Sequence, residues 1–175
     1  MIRLAPFFAL GLLAACSGPA PTADNSAQVA TAPATIPVVI STAGGARRFD
    51  VEVAHTPQEQ EKGLMFRKDL PADGGMLFPM DPPRTASFWM KDTLIPLDML
   101  FIHTDGTIAF LKAEAEPYSR TPVSAGVPVV AVLELRGGRA AELGIAQGDR
   151  LAWGGCAVPQ EKRTTDLNFC PAPAR

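Results

Sequence analysis

From about Arg47 onward, apolar and polar positions follow one another in short regular runs, and each run predicts an element. Phe49, Val51 and Val53 alternate with Asp50, Glu52 and Ala54, the period of a half-buried strand. Thr56-Pro57-Gln58-Glu59 predicts a helix start: Thr56 caps, Pro57 sits where a missing N–H costs nothing, and Glu59 completes a capping box. That helix is expected to reach about Phe66, with Leu64 and Met65 turned inward. Asp73-Gly74-Gly75 marks a turn and Met76 to Phe78 a short buried strand. Pro79 to Pro83 holds three prolines in five residues and reads as a loop, because proline denies a ladder its donor.

Thr85 to Lys91 predicts a strand with Ala86, Phe88 and Met90 on one side and Ser87, Trp89 and Lys91 on the other. Asp98 to His103 reads as an apolar strand joined through Asp105-Gly106 to Thr107 to Lys112, the signal of a tight hairpin,. Val129 to Leu135 is a nearly continuous apolar strand interrupted by Glu134, Gly138 to Gly144 a short helix, and Arg150 to Trp153 a last strand. The class expected is α+β: a compact, mostly antiparallel, strongly curled sheet or small barrel of about six or seven strands with two short helices.

The N-terminal part has a different grammar. A short positive start and the apolar run Leu4 to Leu13 are too brief for a membrane span, which needs ~20 residues, and Leu13-Ala14-Ala15-Cys16 follows. This resembles a bacterial lipobox, which implies cleavage before Cys16 and lipidation of its thiol. Residues 1–15 are therefore expected to be a lipoprotein signal peptide, with the exported chain anchored in the cell envelope and facing the periplasm. Ser17 favours the outer membrane if the cell is Gram-negative. Residues 16–37, rich in Ala, Pro and Thr, read as a flexible tether. Val38 to Ser41 is a possible edge strand cut short by Gly44-Gly45. Residues 38–155 form a single globular domain, and 156–175 a C-terminal tail.

Composition changes this picture little. Of 175 residues, 47% are hydrophobic and 19% charged, which suits one domain,. The formal net charge of −2 gives no basic footprint, so nucleic acid is not an expected partner. The chain has three Cys; with Cys16 taken by lipid, Cys156 and Cys170 remain to pair in an oxidising compartment.

Five blocks carry a family resemblance: GLMFR (Gly63 to Arg67), GGMLF (Gly74 to Phe78), FWMKDTLIPLDMLFI (Phe88 to Ile102), VLEL (Val132 to Leu135) and GIAQGD (Gly144 to Asp149). In this order they resemble domain of unknown function 192. The resemblance implies a compact α+β domain with a barrel-like sheet and no established activity. It also implies an Asn after the Lys of the WMK segment, where this chain has Asp92.

No motif names a reaction or a cofactor. Arg67, Lys91, Asp92, Asp98 and Glu134 are each charged residues beside an apolar element, where an unpaired charge is costly. They are expected to converge on one rim, with Lys91 or Arg67 as counter-ion to Glu134. Trp89 adds a surface for a sugar or peptide, or simply packs. The reading is a binding or accessory module for an envelope protein or polymer. The alternative is an enzyme acting on an envelope polymer through the acidic residues near the Lys91 to Asp98 turn. A second alternative is copper: Met65, Met76, Met80, Met90 and Met99 are soft thioether ligands for Cu(I), or else fillers of irregular core gaps.

Overall fold

A computed structural model describes residues 34–159 and 167–171. The signal peptide, Cys16 and most of the tether lie outside these residues.

Seven strands form one mixed sheet in the order β5-β4-β6-β3-β2-β1-β7. They are β1 Thr35–Thr42, β2 Gly45–Val53, β3 Met76–Thr85, β4 Leu97–Ile102, β5 Ile108–Ala115, β6 Pro128–Arg136 and β7 Arg150–Trp153. Two short helices, α1 Pro57–Lys62 and α2 Arg139–Leu143, complete the α+β architecture. The expected barrel does not form. The sheet is open: β2 and β3 pair in parallel, and the end strands β5 and β7 form no ladder with each other, an isolated bridge between Thr107 and Arg150 being the contact at that point.

Other expectations are also revised. Strand β1 starts at Thr35, inside the expected tether, and lies between β2 and β7 as an interior strand. Gly44-Gly45 does not cut it off but turns it into a hairpin with β2, Gly45 taking φ 104°. Helix α1 stops at Lys62 because Gly63 adopts φ 47°. The turn is forced close: a Cβ on Gly63 would stand 3.2 Å from the Phe78 ring. The Pro79 to Pro83 segment belongs to β3, although its ladder to β6 is interrupted between Pro79 and Arg84. Residues 86–96 form no strand of the sheet; an isolated bridge ties Phe88 to Val123. The predicted alternation survives there all the same, with Ala86 and Met90 buried and Ser87 and Trp89 exposed.

The pleat divides the core into two clusters. Val38, Phe49, Leu77, Leu100, Leu133 and Trp153 belong to one, joined by Ala140 of α2. Leu64, Met76, Phe78, Met99, Phe101 and Val132 belong to the other. Neighbours along a strand therefore serve different clusters, as Leu77 and Phe78 do,. The second cluster supports the site described next.

The C-terminal segment returns to β7. A disulfide joins Cys156 to Cys170 with their Cα atoms 5.2 Å apart. Phe169 stacks on Trp153 with ring centroids at 4.3 Å.

Candidate functional site

A cleft of about 400 Å³ opens on the second cluster. Helix α1 and the turn after it contribute Gln60, Glu61, Lys62, Gly63 and Leu64; β3 and the loop beyond it contribute Phe78, Met80, Arg84 to Trp89 and Thr93; β6 contributes Glu134. Its depth is apolar and its mouth is charged.

Each wall is fixed by an identifiable contact. The capping box predicted for α1 is present: Thr56 Oγ1 accepts from the Glu59 backbone N–H at 3.2 Å, and Glu59 Oε2 accepts from Thr56 N–H at 2.8 Å. Backbone donors from Thr56 and His55 lower the Glu59 pKa. Gln60 then anchors the helix over the sheet, its Nε2 donating to the carbonyls of Ala54 at 3.2 Å and Pro79 at 3.0 Å. The second of these bonds lies where the β3–β6 ladder breaks, so Gln60 satisfies a carbonyl at the interruption. Below the opening, Phe88 meets Phe78 edge-on at 5.0 Å and Phe101 at 6.0 Å between centroids.

Residues 88–93 are held by backbone bonds rather than by a ladder. Phe88 and Val123 exchange two hydrogen bonds at 2.9 and 2.7 Å, Met90 N–H donates to Ser119 O at 2.9 Å, and Phe66 N–H donates to Asp92 O at 2.8 Å. Asp92 sits at φ 51°, and Phe66 and Tyr118, bonded to this turn, at 64° and 62°. Left-handed backbone is readily adopted by Asn and Asp. This accounts for Asp92 where the resemblance implies Asn: the position selects for a backbone conformation both residues tolerate.

Glu134 is the residue that the cleft isolates. It is 4% exposed, and its carboxyl makes no hydrogen bond or ion pair with any described residue. Its strand neighbours are Met76 on β3 and Met99 on β4, so thioethers rather than cations flank it. Burial alone pushes its pKa up to about 8, because a carboxylate in apolar surroundings lacks the solvation its charge requires.

The expected convergence of charges is therefore corrected. Arg67 does not reach Glu134 but pairs with Glu52 through both terminal guanidinium nitrogens, Nη1 and Nη2. Lys91 lies with Nζ 5.9 Å from the centre of the Trp89 ring. Asp98 is fully buried elsewhere: its Oδ1 accepts from the N–H groups of Glu114 at 2.8 Å and Gly138 at 3.0 Å, and its Oδ2 from Ala140 at 2.7 Å. Asp92 does not line the cleft. Of the six residues proposed from sequence, Glu134 and Trp89 share it. Gln60, Lys62, Arg84 and Thr93 went unrecognised; they carry no motif and gather only through the folding of α1 and β3. Met76, Met80, Met90 and Met99 are buried in the second cluster as core, and Met65 is half-buried. Among the described residues no three His, Cys, Asp or Glu side chains gather as metal ligands, and no helix is long and apolar enough to cross a membrane.

The family model DUF192, described as an uncharacterised ACR, matches residues 38–153. The chain belongs to this family. The match covers every element from within β1 to the end of β7, so it is the whole DUF192 sheet that carries the cleft. Similar solved structures include these two. A protein of unknown function from Novosphingobium aromaticivorans DSM 12444 is 41% identical, with a TM-score of 0.68 over 78% of this chain and 100% of its own. A proposed transcription regulator from Sinorhizobium meliloti 1021 is 42% identical, with a TM-score of 0.66 over 69% of this chain and 95% of its own. No curated protein matches the chain.

Proposed function

We propose that this DUF192 protein is an envelope lipoprotein, acylated at Cys16, whose domain binds a ligand in the cleft over Glu134. The observation that carries the reading is Glu134 itself: a buried carboxyl without a partner among the described residues, opening on a cleft with a polar mouth and an exposed Trp. Its oxygens are open to the cleft rather than sealed from it, and a polar group that the fold leaves to whatever fills a cleft is complementary to a hydrogen-bonding group that enters it. The Leu-Ala-Ala-Cys sequence supports the anchor, and attached acyl chains hold a protein at the bilayer because each buried methylene contributes about 0.8 kcal/mol.

The enzymatic alternative has one observation in its favour, the raised pKa of Glu134, which a general acid needs,. Glycoside chemistry also needs a second carboxyl facing the same bond. Asp98 is consumed by backbone donors, which leaves Glu61, an exposed residue at the mouth. The description of the Sinorhizobium relative would extend to nucleic acid through a basic face, and a net charge of −2 supplies no excess for one.

The test is photo-crosslinking in cells from position 87 in the cleft, with position 113 on β5 as an exposed control outside it. Capture from 87 alone, abolished by Glu134→Leu in a folded protein, supports the reading. Equal capture from both positions, or capture indifferent to Glu134→Leu, overturns it. Mass spectrometry of the mature N-terminus tests the anchor, which an unmodified Cys16 would rule out.

A further inference from the structure

The walls of the cleft narrow the class of ligand. With a pKa pushed up to about 8, Glu134 is roughly nine-tenths protonated at pH 7. It then offers one O–H donor and one carbonyl acceptor and carries no charge. The charged groups facing it across the cleft are Glu61 and Lys62 from α1 and Arg84 from β3. Two of these three are cations, so a cationic ligand gains no net attraction from them.

A peptide bound as an added strand draws on a row of backbone donors. Pro79, Pro82 and Pro83 remove donors from the β3 wall,. Trp89 lies on the lip, 50% exposed, although a Trp ring in water forfeits the burial its large apolar surface favours. A half-exposed indole with Lys91 Nζ over its ring at 5.9 Å, in the same cleft as a neutral acid, suits a ring that is apolar on its C–H face and polar at its edge.

We infer that the cleft binds an acetamido sugar of a glycan chain, its ring packed on Trp89 and its acetamido carbonyl accepting a hydrogen bond from Glu134. The inference rests on the binding cleft proposed above. It differs from the enzymatic alternative in that no bond is made or broken.

The test is titration of the full mature chain, in detergent, with N,N′-diacetylchitobiose between pH 6 and 9.5, with cellobiose as the counterpart that lacks acetamido groups. Diacetylchitobiose is expected to bind at least about tenfold more tightly than cellobiose, since a site built for a hydrogen bond rejects the analogue that lacks it. Its affinity should fall by about tenfold per pH unit above pH 8, as the donor proton is lost. Glu134→Gln keeps a donor and should bind with no such pH dependence, while Trp89→Ala should weaken binding by about tenfold. Equal affinity for cellobiose, or affinity that rises with pH, would overturn the inference. Failure of millimolar diacetylchitobiose to bind, with position 87 still capturing a partner in cells, would reject the glycan and leave the cleft. Failure of both would remove both.

Discussion

Asp98 and Glu134 stand on adjacent strands, one register step apart, and face opposite sides of the sheet. Asp98 pairs with Leu135 and Met99 with Glu134, so the pleat sends one carboxyl toward α2 and the other toward the cleft. The first is surrounded by three backbone donors; the second has none among the described residues. Two acidic residues that look alike in the sequence thus have unrelated tasks.

Asp98 is a structural clamp. Its Oδ1 holds the Glu114 N–H, where the backbone takes φ 44° at the β4–β5 irregularity, and its two oxygens hold the start of α2. Asp98→Ala leaves three donors without their acceptor and should lower stability by at least about 3 kcal/mol. Chemical denaturation measures this, and an unchanged midpoint would mean that the clamp contributes nothing.

Glu134 should make stability depend on pH in the opposite sense to an ordinary salt-bridged carboxylate. Below its normal pKa of 4.5 it is protonated in both folded and unfolded chains. Between 4.5 and about 8 the unfolded chain releases the proton and the folded chain keeps it, so stability falls as pH rises and levels off above that range. The loss should be on the order of several kcal/mol. Glu134→Gln should remove this component and be the more stable protein at pH 8, as shown by denaturation of both proteins at pH 5, 6.5 and 8.

Arg67 and Glu52 form a two-point ion pair at the surface, their side chains 34% and 17% exposed. Its contribution is discounted by solvent screening to about 1 kcal/mol. A double-mutant cycle with Arg67→Ala and Glu52→Ala should return a coupling of that size, smaller at high salt.

Reduction of the Cys156–Cys170 bond frees a segment of 14 residues' separation and should cost about 3 kcal/mol in the loop-entropy account. Loss of the Phe169 stack on Trp153 should shift the tryptophan fluorescence at the same time. Cys156→Ser with Cys170→Ser should reproduce the melting temperature of the reduced protein.

Much of the fold was legible because it is local. The Thr56 cap, the alternation in β2, the Asp105-Gly106 turn and the apolar runs of β4 and β6 each announce their element within a few residues. What was not legible depends on tertiary pairing. Nothing near Thr35 reveals that β7 will cover β1, and Pro79 to Pro83 hides a strand whose broken ladder is supported by Gln60. Open or closed sheet depends on whether β5 and β7 meet, a relation between ends distant in sequence. At the site, Glu134 stood out as an acid in an apolar strand, as Asp98 did in β4. Its supposed counter-ions did not follow, because Arg67 pairs with Glu52 and Lys91 lies over the Trp89 ring.

The account depends most on Glu134 being a neutral acid beneath the cleft. The direct measurement is a titration of the protein carrying ¹³C at the glutamate side-chain carboxyls, with Glu134 assigned by its disappearance in Glu134→Gln. A carboxyl resonance that titrates near 8 is the result expected. Titration of Glu134 near 4.5, the value of an ordinary glutamate, would contradict the burial, the missing partner and the donor role together.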